Sequence, residues 1–303
     1  MIKQSTLISI LLLFIIVLLL CCFNNTTNLE TFRGSIPMTN KKIAFCFLIY
    51  DKINNEKLWY DYFESIDKSK YTIYIHYKEN KPLKYFEDYK LKNTIDTCWG
   101  CLSVVEVQLL MINEALKDPN NQHFIWLSQS CIPIKSFNYI YNYLNPKFSY
   151  FNMAENINLL SKAKYCLKYV NKNKVRKAAM PSILNRKHSQ LLLENKSNIL
   201  KWFKNINNVD EIALITMIHH LGIEHELKTT PNLSSDAIIF TAWPDMKNYK
   251  KFNKSNLSKN SPNEYKEICS EELDYLIKSK SLFARKFLDN CKGLENVVRL
   301  IKD

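Results

Sequence analysis

The stretch FIWLSQSCIPIKSF, residues 124–137, runs four apolar residues straight into Ser-Gln-Ser-Cys, then Pro133, then an amphipathic segment. A buried strand that ends in a small polar loop and turns at once towards a helix is the junction where ligands sit in open α/β sheets, outside the carboxyl ends of the strands. The same alternation recurs on either side. KIAFCFLIY (42–50) is a continuous apolar run, the mark of a strand buried on both faces. EKLWYDYFESI (56–66) sets apolar residues at 58, 59, 62, 63 and 66, a helical stripe, and YTIYIHY (71–77) reads as a second strand. Ser103 and Glu106 have capping-box spacing, which predicts a helix to about Lys117 with Val107, Leu110 and Met111 on one face. DPNN (118–121) reads as a turn, HFIWLS (123–128) as a strand, and Phe137, Ile140, Tyr141 and Leu144 as the face of a further helix. Strands alternating with helices predict an α/β fold with a mostly parallel sheet flanked by helices.

The second half is more helical. Helices are expected over 189–206 and 210–222, a strand over 237–243, a Lys/Asn/Ser-rich loop over 245–265, a short helix capped by Ser270, and another from about 292. No internal repeat and no second linker interrupts 41–303, which reads as one domain. Ahead of it, residues 7–23 form a seventeen-residue run with one Ser and no charge, just long enough to span a bilayer. The positive tail 1–6 favours the cytosol, and the polar, patternless 24–40 reads as a stem. A cleaved signal peptide is the alternative, but the run exceeds a usual h-region and no A-x-A site follows. The domain would then face a lumen. Sequons at Asn24, Asn25, Asn195, Asn232, Asn253 and Asn256 agree, although an Asn-rich chain produces such triplets readily. Seven cysteines follow the anchor, at 46, 98, 101, 131, 166, 269 and 291, an odd number whose pairing the spacing does not fix. CWGC (98–101) has C-x-x-C spacing; a thioredoxin-type motif would have to open a helix directly.

Composition excludes several classes. Of 303 residues only four are glycine (34, 100, 222 and 293), so G-x-G-x-x-G, Walker A and G-x-S-x-G motifs are all absent. Hydrophobic content of 47% with 13% aromatics supports a real core. The net charge of +13 fits lysines scattered over solvated faces, and no zinc-finger, RNP or helix-turn-helix pattern points to nucleic acid. His219, His220 and His225 lie near one another, but their spacing is not that of a zinc site.

Four blocks, in order, resemble the core-2/I-branching β-1,6-N-acetylglucosaminyltransferase family and its plant-like branch: WGCLSVVEVQLLMINEALKDPNNQHFIWLSQSCIPI (99–134), RKHSQ (186–190), NNVDEIALITMI (207–218) and LFARKF (282–287). The resemblance covers about 42–290. It implies a GT-A-like fold on a type II anchor in the Golgi or ER membrane. The implied activity is inverting, metal-independent transfer from a UDP-sugar, best UDP-N-acetylglucosamine, to a hydroxyl of a glycan or glycoprotein, with no cofactor. The sequence contains no D-x-D to hold a divalent ion. Cationic side chains would therefore meet the leaving diphosphate. On the match these are Lys266, in KEICS (266–270), and Lys286, with Arg285 beside it. Lys266 stands where an arginine is expected and loses the bidentate fork.

The match to the family's D-E pair makes Glu211 the general base, with Asp210 as cap of the following helix and the helix's positive end helping to keep Glu211 ionised. Ser128 and Ser130, at the end of the strand, could hydrogen-bond the donor or simply cap the Pro133 turn. Many members carry an acidic residue where Cys131 stands. Tyr74, Ile75 and His76 are strand-end candidates for nucleotide contact. Trp243 matches an aromatic position near the acceptor, while Lys187 and Gln190 belong to a block without an assigned role. The competing reading is a membrane-anchored, catalytically inactive carbohydrate-binding protein on the same fold.

Overall fold

The computed structural model describes residues 41–154, 158–244, 246 and 261–302. The anchor and stem, and the sequons at Asn24, Asn25, Asn253 and Asn256, lie outside them. Strand β1 (Lys42–Ile49) is central, because its residues are apolar on both faces. It pairs in parallel with β2 (Tyr71–Tyr77) and with β3 (Asn121–Ser128). Ile43, Phe45, Phe47 and Ile49 enter one core; Ala44 and Cys46 enter another. Helix α1 (Glu56–Glu64) covers the first face through Leu58, Trp59, Tyr62 and Phe63. Helix α2 (Leu102–Leu116) covers the second through Val105, Leu109 and Ile112. The uninterrupted apolar run is thus what a sheet wrapped on both sides requires.

Helix α3 (Phe137–Tyr143) follows β4 (Ile132–Pro133), with Ser136 as its N-cap accepting from the Tyr139 amide. After β5 (Ser149–Met153) and a single turn, α4 (Leu159–Lys162), the chain returns as β6 (Ile183–Asn185). Then come α5 (Arg186–Glu194), α6 (Lys196–Trp202), α7 (Ala213–His220) and β7 (Leu227–Pro231). The six-stranded sheet has the order β2-β1-β3-β6-β5-β7. Strand β6 runs antiparallel to both β3 and β5, so the sheet is mixed, though its other pairings are parallel. The last part adds β8 (Ile239–Thr241), β9 (Tyr265–Glu267), α8 (Ser270–Lys278), β10 (Phe283–Arg285), β11 (Phe287–Lys292) and α9 (Val297–Leu300). These build two small sheets, β4-β10-β8 and β11-β9.

Several local expectations are corrected. Cys101, not Ser103, is the N-cap of α2; the Ser103 hydroxyl instead accepts from the Cys98 amide at 3.2 Å. Cys269, not Ser270, caps α8. The helix expected over 189–206 breaks at Asn195, whose side-chain amide bonds the Leu191 carbonyl at 2.9 Å. Asn195 is therefore a cap with its amide engaged inside the fold.

Phe45 contacts four rings, those of Trp59, Phe63, Phe137 and Phe283, and is fully buried. It joins β1, α1, α3 and β10 in one cluster. Phe45→Ala is expected to cost about 3–5 kcal/mol. Denaturant unfolding of the two proteins measures it; a loss under about 1 kcal/mol would mean that the cluster is not packed as described.

Candidate active site

Asp210 and Glu211 lie beside the end of β5, with Lys177 paired to Glu211 and Arg285 within electrostatic reach of Asp210. The chain rises through Asn208, whose φ of 53° is left-handed, into a single 3-10 turn, Val209–Glu211. Helix α7 begins only after it, with Ile212 as N-cap and no side-chain cap. Asp210 is thus not the cap, and Glu211 precedes the helix instead of opening it. A strap, residues 176–179, passes between this turn and β5. The Ala178 amide donates to the Glu211 carbonyl at 2.9 Å, and the Ala179 amide to the Asn152 carbonyl at 2.8 Å. Thr216 Oγ1, on α7, takes the Arg176 amide at 3.0 Å and donates to the Arg176 carbonyl at 3.1 Å. Both edges of the strap are therefore fixed. It delivers Lys177, whose Nζ lies 2.8 Å from Glu211 Oε2.

The two neighbouring carboxylates are electrostatically unlike. Burial, and then the negative charge of Glu211, raise the Asp210 pKa to about 6, against its own backbone hydrogen bond and the positive charges of Lys177 and Arg285. Glu211 instead carries the direct lysine contact. Because Asp210 titrates higher in the fold than in the unfolded chain, the folded state binds the extra proton between about pH 4 and pH 6. Stability contributed by this group is present below the unfolded pKa and lost as pH rises through 6. Asp210→Asn is expected to stabilise the protein at pH 7.5 by on the order of 2 kcal/mol, and much less at pH 4. Thermal melts at both pH values check it; equal shifts at both would show that Asp210 is not strained by burial.

The same turn lines a shallow surface depression, shared with Gln108, Met180 and Ser182. Gln108 is 1% exposed, and its Oε1 has no partner. A larger depression of about 370 Å³, beside Lys135 and Tyr139, holds none of the candidate residues.

The basic candidates arrive from the end of β10 (Arg285), the residue after it (Lys286) and β9 (Lys266). Arg285 lies within electrostatic reach of Asp210, and its Nε is buried without a partner. Burial and the Arg285 charge lower the Lys286 pKa, with Glu264 opposing. The Tyr265 amide donates to the Lys286 carbonyl at 2.8 Å, which lays Lys266 on the neighbouring strand, its side chain exposed. The Phe287 amide donates to the Ser130 carbonyl at 2.9 Å, so the loop after β3 abuts the basic segment. Within that loop Ser128 Oγ lies 3.1 Å from Ser130 Oγ and 3.3 Å from the buried Cys131 thiol. The opening junction is therefore a wall of the basic site, and Trp59 Nε1 fixes it by donating to the Cys131 carbonyl at 2.9 Å.

Trp243, two residues beyond Thr241, which pairs with Arg285, is half-buried against the core, and its indole N–H has no partner. The β2 candidates are not brought in by their side chains. Ile75 is fully enclosed in the core. His76 is 1% exposed and accepts from the Ile95 amide at 3.1 Å, and its burial lowers its pKa. The Tyr74 hydroxyl accepts from Asn121 Nδ2 at 3.3 Å, at the opposite end of β3 from Ser128.

The RKHSQ block is a clamp. Arg186 donates to the carbonyls of Leu116, Asp118 and Asn121, and the His188 ring sits 2.7 Å from Ser149 Oγ and 3.0 Å from Glu226. Lys187 pairs with Glu226 at 2.5 Å, and Gln190 is exposed. Among the described residues, no group of three or more His, Cys, Asp or Glu side chains is placed to hold a metal ion. Lys177 and Gln108 escaped the sequence reading. Gln108 was findable, as a polar residue in the buried 105, 108, 109, 112 stripe of α2; Lys177 gives no local signal.

A family model described as core-2/I-branching enzyme matches residues 43–273. The chain belongs to the core-2/I-branching enzyme family. A curated relative, the glycosyltransferase BC10 of Oryza sativa subsp. japonica, is 24% identical over 177 residues, 55% of this chain and 44% of the rice protein. The chain thus spans under half the length of that family member. Solved structures with similar chain courses include the bifunctional glycosyltransferase WbbM (9% identity, TM-score 0.42, covering 82% of this chain and 46% of that one). Another is the galactosyltransferase LgtC with donor and acceptor sugar analogues (5% identity, TM-score 0.39, covering 80% and 86%).

Proposed function

We propose that this member of the family is an inverting GT-A-type glycosyltransferase that moves a sugar, best N-acetylglucosamine from UDP-N-acetylglucosamine, to a glycan hydroxyl. The observation that carries this reading is the electrostatic proximity of Arg285 to Asp210, with Lys286 next along the chain and Glu211 paired with Lys177: a carboxylate for the acceptor proton in the neighbourhood of cations for a departing anion. Glu211 takes the proton from the acceptor hydroxyl as its oxygen attacks the anomeric carbon. The bond from that carbon to the diphosphate breaks, and the charge left on the diphosphate is met by Arg285 and Lys286, with Lys266 on the adjacent strand. Lys177, 2.8 Å from Glu211 Oε2, holds the carboxylate in place ahead of the helix. Ser128 and Ser130 line the donor wall, and Trp243 offers a flat face to the acceptor. Residues 7–23 anchor the domain in a Golgi or ER membrane, with 24–40 as stem. With cations in the place of a D-x-D metal, turnover of UDP-N-acetylglucosamine is expected to be unchanged by EDTA. A strict manganese requirement in the same assay would contradict the arginine–lysine reading.

A further inference from the structure

The CWGC segment has no part in the chemistry above, yet the structure ties it to the turn that bears Glu211. Cys98 and Cys101 are joined in a disulfide, while the other cysteines among the described residues are free. The bridge closes a four-residue turn directly before α2: Cys101 is the N-cap of that helix, and its amide donates to the Cys98 carbonyl at 3.1 Å. At the turn's centre Gly100 has φ +70°, and a Cβ there would meet Asn208 Oδ1 at 2.5 Å. The Gly100 carbonyl accepts from the Val209 amide at 3.4 Å. Asn208 and Val209 lead straight into Asp210 and Glu211. The disulfide turn is therefore a rigid block, set on a 15-residue helix, against which the catalytic turn rests.

We propose that the Cys98–Cys101 disulfide is a redox-sensitive positioning element for Glu211. The proposal rests on the reading of Glu211 as the base. A bridge over so few residues does little for global stability, because loop-closure stabilisation grows with the length enclosed. Its effect is local: it holds a glycine-containing turn in the one conformation that leaves the Gly100 carbonyl beneath Val209. The bridge is also open to attack, since Cys98 is exposed and Trp99, which follows it in the chain, is 89% exposed. A small dithiol reduces it in two exchanges. A thiolate attacks one sulfur to give a mixed disulfide. The second thiol then releases the chain, leaving two cysteine thiols and a cyclic disulfide, with two electrons passed from the reagent. Reduction frees Gly100 and lets the 208–211 turn shift, and misplacement of a base by about an ångström is enough to slow a reaction by up to 10²-fold.

The test compares the full wild-type chain, before and after dithiothreitol, with the Cys98→Ser/Cys101→Ser variant and with Glu211→Gln. Two readouts are taken: hydrogen exchange of the Val209–Ile212 amides, and hydrolysis of UDP-N-acetylglucosamine. Exchange of those amides is expected to quicken about tenfold on reduction and in the double variant, while the α7 amides that follow keep their protection. The kcat is expected to fall about tenfold with the donor KM within twofold, and the double variant to ignore dithiothreitol. Unchanged exchange and turnover after full reduction, verified by thiol labelling, would overturn the proposal. Should the double variant fold poorly, reduction of the wild type decides alone. Activity surviving in Glu211→Gln would instead remove Glu211 as base, leaving the exchange result to report whether the bridge positions the turn.

Discussion

Glu211→Gln is expected to lower the transfer rate by about 10³-fold while leaving fold and donor binding intact. The substitution keeps the shape of the side chain and removes its charge. What is lost, on the proposed mechanism, is the acceptor for the hydroxyl proton. Asp210 is the adjacent carboxylate; it is only partly exposed, and burial raises its pKa to about 6. The Lys177 partner of Glu211 would be left without its carboxylate, a modest loss for a partly exposed pair. The melting temperature is therefore expected to move by only a few degrees. Progress curves for wild type and variant, read beside their thermal melts, separate the two effects. A variant within tenfold of wild type would mean that another group takes the proton.

Arg285→Ala and Lys286→Ala are each expected to lower kcat by about 10²-fold or more, and their combination to abolish turnover, because on the proposed mechanism they meet charge that appears only as the diphosphate leaves. Lys266→Ala is expected to cost about tenfold or less. The difference follows from burial: Arg285 and Lys286 are partly enclosed, whereas Lys266 is exposed on β9 and screened by water. Steady-state kinetics of the three variants on one donor supply the ranking. Equal losses at Lys266 and Lys286 would place the diphosphate as near β9 as the end of β10.

The fold was legible where burial leaves a long mark. Strands 42–50, 71–77 and 123–128 show it because the sheet is enclosed on both faces, and the helical stripe from Leu58 to Phe63 shows it because one face meets Trp59's aromatic cluster. Strands 149–153, 183–185 and 227–231 left no such mark. They are short, and 227–231 is exposed along most of its length, so no alternation announces it. Polar residues misled at helix starts: Ser103 and Ser270 suit a cap by type, yet each sits one or two residues inside its helix. The mixed character of the sheet was hidden for a related reason, since β6 is only three residues long.

The site was legible as residue types and not as geometry. The Asp-Glu pair, the Arg-Lys pair and the Ser-Gln-Ser loop stand out in the chain; the structure brings the loop against the basic segment through the Phe287 amide and the Ser130 carbonyl, and sets Arg285 within electrostatic reach of Asp210. Which carboxylate is paired depends on Lys177, thirty-four positions before Glu211, and no local pattern encodes that contact. The β2 candidates failed to join because strand-end logic ignores which face a side chain takes: Ile75 points into the core, and His76 is spent on the Ile95 amide.

The most direct test of the central claim is turnover of a panel of UDP-sugars by the purified full chain in EDTA, with Glu211→Gln run in parallel. The account predicts slow hydrolysis of one donor by the wild type, best UDP-N-acetylglucosamine, none by Glu211→Gln, and binding of that donor by both. A folded wild-type protein that binds no nucleotide sugar would contradict it and favour a carbohydrate-binding protein built on an enzyme's frame.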